Sequence, residues 1–561
     1  MLRWKTASLA AAIVILFLIA NRGAYKGYFQ DDDLDNLSWT PQLDTVDFAK
    51  GLVSPVFSRN NFRPVGHFYF HAMERLAGLR FLPYVAVLQF IHLCNGLLIW
   101  LVLRRLKIHP LPALAGTLFF LYHPATFDAY WRPMYVFDVL CAAFCLASFL
   151  AFLDRRWVIS FLCFVVAYKA KEVAVMLPAV LAAYEILLGG RRWKPLVPFF
   201  AVSLLFGFQA LISNVNTNDA YTLKVTPSTL LDGAKFYLWQ IFAFSLAAIA
   251  LTIVTSLLKD RRAWLGLCAA LLFLIPLLAI PGRTFSVYLY VPLIGASIAL
   301  ASVLDAPKAW PAPLFIAVWL PFTFMQMREY RKAALTAADE NRSYVSGLAD
   351  FLPSSPQTTA FIEDGAPSAM HWWGVRGAIR YISKRPEIQL ASINDFEAKA
   401  LLAQRHLAVL SWDQVTRKLQ ITHREPDTPE ESYISMRQGM PIWQFSDGWY
   451  QRENFYRWTK PEATATLRRP EGASKFEVTV NIGIIHITDV RKVQFELFLN
   501  GAPLGVQDFT TAGWQKRIYA LKPAPAGIVT VEFRTSPAYH PRGDPRVLGI
   551  PIGAFGFVDD R

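Results

Sequence analysis

Charged residues and cysteines are both scarce in this sequence. Asp, Glu, Lys and Arg make up 17% of its 561 residues, whereas a soluble protein carries about 25%. The five cysteines all lie in apolar runs, so a disulfide framework is not expected, and cysteine usage does not settle the redox compartment. They are Cys94, Cys141, Cys145, Cys163 and Cys268.

Three common cofactor and metal motifs are also missing. The sequence has no Walker loop, no dinucleotide-binding glycine fingerprint and no HExxH motif, which weakens the cases for an ATP-driven pump, an oxidoreductase and a zinc protease. The net charge of +14 does not indicate a nucleic-acid partner. Much of the Lys and Arg excess lies in short loops between apolar runs, where it sets membrane orientation, and no basic module with interleaved aromatics is present.

Long apolar runs are abundant in the first part of the chain. Hydrophobic residues make up 54% of the sequence, and runs of about 20 residues, the length that crosses a hydrocarbon core, recur until about residue 330. We therefore expect a transmembrane domain at 1–327, including an uncleaved first helix. The eleven expected spans are 6–20, 84–103, 111–123, 134–153, 158–172, 174–188, 196–213, 236–257, 264–281, 285–303 and 311–327.

Basic loops predict the orientation of these spans. Four of them fall at alternate ends of the set, so they share one side, which the positive-inside rule makes the cytoplasm. The outer side then holds the loop 21–83, the loop 124–133 and, for an odd span count, the C-terminal part. One miscounted span would reverse the last placement. The weakest pair flanks Lys169 and could instead form a broken helix lining a polar cavity. The basic loops are 104–107, 154–156, 191–194 and 259–262.

A run of acids follows the first apolar segment. Asp31, Asp32 and Asp33 are followed by Asp35. Negative charges this close together repel one another, which raises the pKa of some of these carboxyl groups. Carboxylates here contribute little to membrane insertion. The run suits a general base or a divalent cation site. A solvated acidic loop is the alternative.

Further ionisable residues lie within or beside apolar runs. Asp128 follows His123-Pro124, Asp138 begins a run, and Lys169 and Glu172 lie between two runs. Ionisable groups at such positions usually face a cavity and mark a substrate path. The alternative for Lys169 and Glu172 is a mutual ion pair or extension of their charged ends to the membrane interface.

Two basic positions are predicted on the outer side. Arg283 precedes Tyr288 at a membrane end, where arginine opposes the positive-inside trend and a phosphate ligand would explain it. Interfacial anchoring is the alternative. Arg63 and His67 precede an amphipathic stretch and could face the same site. His67, His71 and His92 do not show a credible metal spacing.

In this order, these motifs resemble the GT-C superfamily of polytopic glycosyltransferases, above all the dolichyl-phosphate-mannose protein mannosyltransferases and related bacterial lipid-sugar transferases. The resemblance covers about residues 1–305. The family usually has an acidic pair where this chain has a triplet, and often Glu at the position of Asp128. The matching motifs are Asp31-Asp32-Asp33, Arg63-Pro64, His123-Pro124 with Asp128, Lys169-Ala170-Lys171-Glu172, and Arg283 with Tyr288.

The resemblance implies inverting transfer of a sugar from a polyprenyl-phosphate donor to a glycan, lipid or protein acceptor, at the outer face of a bacterial inner membrane. A phosphate leaving group needs positive charge where negative charge develops, and the acceptor hydroxyl needs one base. No cofactor is required, although the triplet leaves a divalent cation open. The implied roles are catalysis for Asp32, with Asp31 and Asp33 as alternatives and Asp128 assisting; donor-phosphate binding for Lys169, Glu172, Arg283 and Tyr288; and an acceptor-side position for Arg63 and His67.

The C-terminal part has the patterns of a soluble domain. Mixed helix and strand signals predict a small α/β lobe at 328–440, and residues 441–561 show the alternation typical of an antiparallel β-sandwich. Asn500-Gly501 predicts a type I′ hairpin turn. Trp449 and Tyr450 could stack on sugar rings, or else pack the sandwich edge.

Two other functions remain open from the sequence. One is a non-catalytic receptor or assembly factor whose outer module binds glycan. The other is a flippase for lipid-linked sugars, although no convincing internal repeat supports it.

Overall fold

The computed structural model divides into two compact units, Met1–Asp339 and Glu340–Arg561. Each is described by itself. The residues that the structure describes are 2–56, 62–213, 222–242, 260–305, 311–393, 395, 397–425, 427–436, 439–453 and 455–558.

The first unit is helical throughout its described residues. Short 3-10 turns connect several of the helices, at Arg22–Lys26, Pro124–Tyr130, Glu172–Met176 and Ser286–Tyr290 among other places. The helices are α1 (Leu2–Ala20), α2 (Asp31–Trp39), α3 (Thr45–Val53), α4 (Pro64–Ala77), α5 (Phe81–Arg105), α6 (Pro110–Leu121), α7 (Val136–Leu153), α8 (Trp157–Ala170), α9 (Leu177–Leu187), α10 (Val197–Ser213), α11 (Pro227–Phe242), α12 (Arg261–Leu278), α13 (Pro292–Leu304) and α14 (Pro311–Phe351), which continues into the second unit.

Four helical segments within the described residues are long and apolar enough to cross a membrane. They are Phe81–Arg105, Pro133–Leu153, Lys194–Ile212 and Arg261–Leu278. Shorter apolar helices occupy Ala11–Ala20, Pro110–Leu121, Trp157–Ala170 and Pro292–Leu304. The expected count of eleven therefore stays a prediction, and the span at 236–257 lies partly outside the described residues.

Three of the basic loops lie at one end of this helical unit. Arg105 pairs with Asp154 at the end of α7, and Arg262 donates a hydrogen bond of 3.2 Å to the carbonyl oxygen of Lys107. Arg262 also pairs with Asp305 at 2.8 Å. These contacts bring together the loops that follow α5 and α7 and the start of α12, and we call this end the basic end.

The second unit begins with a small α/β lobe. Its sheet has the order β2-β1-β3-β4, with β1 parallel to β2 and β3 and with β4 antiparallel to β3. Strands β3 and β4 form a hairpin in which Asp413 pairs with Lys418. The elements are β1 (Ala360–Glu363), α15 (Trp372–Ser383), β2 (Gln389–Ser392), α16 (Ala398–Leu402), β3 (Leu407–Asp413) and β4 (Lys418–Arg424).

Two antiparallel sheets complete the second unit. One has the order β11-β10-β13-β8, and the other has the order β12-β9-β14-β7-β6 with β5 added to β14. The turn between β10 and β11 has positive φ at Asn500 (47°) and Gly501 (77°), which confirms the predicted type I′ turn. The elements are β5 (Tyr433–Ser435), β6 (Trp449–Glu453), β7 (Tyr456–Thr459), β8 (Glu462–Arg469), β9 (Lys475–Ile482), α17 (Ile484–Val490), β10 (Val493–Leu499), β11 (Ala502–Phe509), β12 (Gly513–Ala520), β13 (Gly527–Ser536) and β14 (Pro551–Val558).

One hydrophobic core serves both the lobe and the sandwich. Ile362 and Val409 from the lobe belong to the same buried cluster as Phe476, Phe533 and Phe555 from the sandwich. The apolar faces of the two parts are thus buried against each other, across the boundary that the sequence places near residue 440.

A buried ion pair also crosses this boundary. The guanidinium of Arg457, on β7, contacts the carboxylate of Asp364, which follows β1, and both side chains are 0% exposed. Burial lowers the pKa of Arg457, and Asp364 opposes that effect. A buried charge without its partner is costly, so each residue depends on the other.

We expect Arg457→Met to destabilise the second unit by about 3–5 kcal/mol, because Asp364 would remain buried and unpaired. The double variant Arg457→Met/Asp364→Leu should recover most of this loss. Thermal unfolding followed by tryptophan fluorescence measures both effects. The control is Arg534→Met, which removes a more exposed pair with Glu532 and should leave the midpoint unchanged. Equal effects of Arg457→Met and Arg534→Met would contradict the prediction.

Candidate functional site

The acid triplet forms the first turn of α2. Carboxylates are favourable at a helix N-terminus, because the backbone N–H groups there lack partners within the helix. Asp33 accepts a hydrogen bond of 2.9 Å from the backbone N–H of Gln30 through Oδ2, which completes a capping box. Asp33 is 0% exposed, whereas Asp31 and Asp32 are half-buried. Only the latter two are therefore accessible.

Asp33 lies close to the loop that carries Asp128. Burial raises the pKa of Asp33 to about 8, and Asp32 adds to the rise while the cation of Arg132 opposes it. Arg132 in turn pairs with Asp128 at 3.2 Å. Burial also raises the pKa of Asp128, against the effect of Arg132. The acid triplet and the loop that carries Asp128 therefore meet at Arg132.

A second ion pair lies one turn into α7. The ammonium of Lys171 is 2.6 Å from Oδ1 of Asp138, and the two side chains are 14% and 4% exposed. The same ammonium lies 4.5 Å from the ring centroid of Tyr288. Tyr135 is within electrostatic range of Asp128, Asp138 and Tyr288, so this pair neighbours the acidic loops.

Arg63 and Glu172 form a third pair, at 2.8 Å. The sequence assigned these two residues to different subsites, and the structure joins them. Burial lowers the pKa of Arg63, but Glu172 and then Asp138 outweigh this and raise it above its ordinary value. Glu172 is thus the partner of Arg63 and not of Lys169.

His67 does not face this site, contrary to the expectation from the sequence. It is 5% exposed, and its ring packs against Trp39 and Phe137. Its Nδ1 accepts a hydrogen bond of 2.9 Å from the backbone N–H of Arg63. Burial, followed by the cation of Arg63, lowers the pKa of His67 to about 3. A neutral His67 therefore holds the start of α4, and with it Arg63.

Lys169 lies beside the Arg63–Glu172 pair. Its ammonium donates a hydrogen bond of 2.7 Å to the carbonyl oxygen of Ser54 and lies 4.9 Å from the ring centroid of Phe206. Lys169, Arg63 and Glu172 together line a cavity of about 230 Å³. The pairing of Lys169 with Glu172 that the sequence left open is not formed.

Two aromatic rings connect Arg283 to these residues. Its guanidinium carbon lies 5.4 Å from the ring centroid of Phe285, and that ring lies 5.5 Å from the ring of Tyr288. Tyr288 then contacts Lys171. Arg283 is therefore linked to the Lys171–Asp138 pair through Phe285 and Tyr288.

These residues gather at one end of α7, which we call the polar end. Asp138 lies in the first turn of this 18-residue helix and Asp154 follows its last turn, so the polar end and the basic end are separated by about 27 Å at 1.5 Å per residue. The polar end comprises Asp31, Asp32, Asp33, Arg63, Asp128, Arg132, Asp138, Lys169, Lys171, Glu172 and Tyr288.

A divalent cation finds no three-ligand site in the part of the chain that the structure describes. No group of three or more His, Cys, Asp or Glu side chains there could hold a metal ion. In the triplet, Asp33 turns inward to its capping box while Asp31 and Asp32 stay half-buried. A divalent cation at the acid triplet, which the sequence allows, stays a prediction. The proposed reaction does not require it.

Trp449 packs in the sandwich core. It is 6% exposed, its ring stacks on Phe445 and Phe555, and its indole N–H donates a 2.7 Å hydrogen bond to the carbonyl oxygen of Thr464. Tyr450 lines a surface cavity, and Trp449 also borders it. The packing alternative therefore holds for Trp449.

Sequence reasoning gave no site role to Arg132 or Lys171, and it singled out Asp138 without assigning a role to it. Arg132 lies four residues after Asp128, and Lys171 lies within the motif that runs from Lys169 to Glu172. The signal was present, because an ionisable residue at a membrane helix end is a functional candidate by default. Their pairing needed the fold, since Asp138 and Lys171 are 33 residues apart.

Comparisons with known proteins give little beyond this geometry. No protein-family model matches the sequence, and no curated protein matches it. Among solved structures, the chain aligns with the cryo-EM structure of arabinosyltransferase EmbB from Mycobacterium smegmatis at 13% identity and a TM-score of 0.33. The alignment covers 99% of this chain and 65% of that chain, so this chain spans just under two thirds of the length of that neighbour.

The raised pKa of Asp33 predicts a pH-dependent stability. Between its ordinary pKa of 3.8 and the folded value of about 8, the unfolded chain loses the proton and the folded chain keeps it. Stability therefore falls as pH rises, by up to about 1.4 kcal/mol per pH unit. The asparagine in the Asp33→Asn variant has no carboxyl proton to lose. We expect the melting temperature of the wild type, relative to Asp33→Asn, to fall from about pH 5 to pH 8 and then level off.

Asp47 gives the matched control, because it occupies the same capping position in α3. Its Oδ2 accepts a hydrogen bond of 3.1 Å from the backbone N–H of Asp44, at an exposed site. Asp47→Asn should show no such change with pH. A constant gap between the wild type and Asp33→Asn would mean that Asp33 is already ionised in the folded protein.

Proposed function

We propose that this protein is an inverting glycosyltransferase that moves a sugar from a polyprenyl-phosphate donor to a hydroxyl group of a glycan, lipid or protein. One observation carries the proposal. Acids that follow the first helix and cations from two distant loops lie together at the polar end of α7, away from the basic end. A transferase of this kind needs a base and a cation-rich phosphate site in one place.

In the proposed reaction, the acceptor hydroxyl gives its proton to a carboxylate of the triplet as its oxygen bonds to the anomeric carbon. The bond from that carbon to the phosphate oxygen breaks, and its electron pair leaves with the phosphate. A single displacement inverts the anomeric configuration. Asp32 suits the base better than Asp33, because Asp33 is fully buried and its Oδ2 already binds Gln30.

The leaving phosphate gains negative charge, which nearby cations stabilise when they are held in place beforehand. Lys171, Lys169 and Arg63 are the proposed cations. Asp138 and Glu172 orient two of them through short ion pairs, so we assign Glu172 to positioning Arg63 and not to phosphate contact. Phosphate binding by Arg283 and Tyr288 stays a proposal.

The charge distribution supports an outward-facing polar end. Cytoplasmic loops carry the excess of Lys and Arg, and the basic end has three such loops. The polar end then faces the outer side, where nucleotide sugars are not expected and a lipid carrier supplies the donor. The proposed location is a bacterial inner membrane, with membrane lipids as neighbours.

We expect Asp32→Asn to lower the transfer rate by about 10²–10⁴-fold, because the acceptor would lose its base. Asp128→Asn should lower it less. Purified protein in liposomes is given synthetic polyprenyl-phosphate hexoses and pentoses with radiolabelled sugars, and a membrane glycan extract from the source cells as acceptor. The radiolabel that is transferred to the acceptor and the radiolabel that is released into water are both counted.

The matched control for this experiment is Asp232→Asn, which changes an exposed acid paired loosely with Lys235 and should retain full activity. A wild-type rate for Asp32→Asn would remove Asp32 from catalysis. Label that crosses the liposome bilayer without transfer would favour the flippase, and glycan binding without consumption of any donor would favour the receptor.

We expect Lys171→Met to lower kcat by about 10²–10³-fold, because a cation that stabilises the leaving phosphate would be lost. The same change strands the buried carboxylate of Asp138, so the protein would also lose stability. The double variant Lys171→Met/Asp138→Leu separates the two effects. It should regain the wild-type melting temperature and stay inactive, as measured by donor titration and thermal unfolding. Recovery of activity in the double variant would assign Lys171 a structural role alone.

A further inference from the structure

A large cavity in the second unit lies at the carboxyl edge of the lobe sheet. Strands β1, β2 and β3 run parallel and end at Glu363, Ser392 and Asp413, all three of which line a cavity of about 880 Å³. Open α/β sheets bind ligands at this edge, and the volume is within the range of ligand sites. Gln451 on β6 and Phe455 in the loop between β6 and β7 also line the cavity, so the sandwich completes it.

Two exposed aromatic rings line this cavity. Trp372 begins α15 and is 46% exposed, and Phe455 is 65% exposed. The guanidinium carbon of Arg376 lies 4.6 Å from the ring centroid of Trp372, which holds the ring in place. A large ring that remains exposed inside a concave site offers a flat apolar surface to a ligand.

The polar part of the cavity includes carboxylate hydrogen-bond acceptors. Oε1 of Glu363 accepts a 3.0 Å hydrogen bond from the backbone N–H of Gly365 and lies 3.4 Å from the amide nitrogen of Gln451. Burial raises the pKa of Glu363, although the bond from Gly365 opposes this effect. A buried carboxyl group with few donors around it favours a ligand that supplies them.

Asp364 provides a second and independent sign of a ligand. It lines the cavity, its side chain is 0% exposed, and its Oδ2 is bound by Arg457. Within the described part of the chain, no group hydrogen-bonds to Oδ1. A buried carboxylate oxygen without a partner is costly, and a hydroxyl donor from a bound molecule would satisfy it.

Charge then defines the class of ligand. Five carboxylates line the cavity against one fixed cation, Arg452, so phosphates and other anions are disfavoured. None of the described acids is arranged with two others around a metal position. A neutral molecule with many hydroxyl groups and an apolar ring face fits both the acceptors and the exposed tryptophan. The carboxylates here are Glu363, Asp364, Asp395, Asp413 and Glu453.

We propose that this cavity binds an uncharged carbohydrate, with a sugar ring stacked on Trp372 and its hydroxyl groups donated to Glu363 and Asp364. The binding itself does not depend on the proposed transferase activity. Only the further step, that the bound sugar belongs to the acceptor glycan or to the product, rests on the proposed function.

The test measures binding to the full chain in nanodiscs that are free of sugar-headgroup detergents. The probes are neutral pentose and hexose oligosaccharides of two to six rings, with uronic-acid oligosaccharides as the anionic comparison, and isothermal calorimetry gives the affinity. We expect neutral oligosaccharides to bind, and Trp372→Ala to weaken binding by about tenfold or more through loss of the stacked ring. Glu363→Gln, which keeps the shape of the side chain, should weaken it as well.

Trp514→Ala is the matched control, because Trp514 is 53% exposed on β12 of the same unit and does not line the cavity. It should leave binding unchanged. Absence of binding by every neutral oligosaccharide, stronger binding of the anionic ones, or binding insensitive to Trp372→Ala would each overturn the proposal. Binding is also measured in Asp32→Asn, where it should persist even if the transferase assignment fails.

Discussion

The ion pair between Lys171 and Asp138 is the interaction on which the polar end depends. Lys171 has an extended backbone (φ −159°, ψ 142°) between α8 and a 3-10 turn, so the helix is broken there. Broken helices inside an apolar bundle persist only where the freed groups find partners. The ammonium finds Asp138, and the carbonyl oxygen of Lys171 accepts from Sγ of Cys141 at 3.7 Å. Both partners lie on α7, so the break is held against that helix.

This arrangement explains why Glu172 and Lys169 point to a common cavity. With Lys171 held against α7, Glu172 pairs with Arg63 at the start of α4, and Lys169 lines the same cavity. The cost of burying these charges is offset only by complete pairing. The same pairing holds cations in place before any substrate arrives, which is the property that stabilisation of a leaving phosphate requires.

The sequence predicted where polar groups occur but not which of them meet. Apolar length and loop charge identified the helical unit and the common end of three basic loops. Alternation and Asn500-Gly501 identified the sandwich. Glu172 was selected correctly as an unusual residue, yet its partner Arg63 is 109 residues away, and no local spacing reveals such a pair. Trp449 shows the opposite error, because an aromatic run next to polar residues looks the same in sequence whether the ring is exposed or buried.

The acid triplet shows how one pattern can carry two roles. A helix N-terminus attracts carboxylates for structural reasons alone, and Asp33 satisfies that need by capping α2. Asp31 and Asp32 remain nearer to solvent, so the structural requirement and the chemical proposal fall on different members of the triplet. Sequence alone could not make this division, because the three side chains differ only in the direction that the helix gives them.

The common core of the lobe and the sandwich limits how this part of the chain can be divided. Because Ile362 and Val409 share a buried cluster with Phe476 and Phe555, a fragment that begins at residue 441 would present a bare apolar surface to water and would tend to self-associate. Gene duplications or fusions that transferred the sandwich alone would carry the same defect. We therefore expect the lobe and the sandwich to fold together, as one unit.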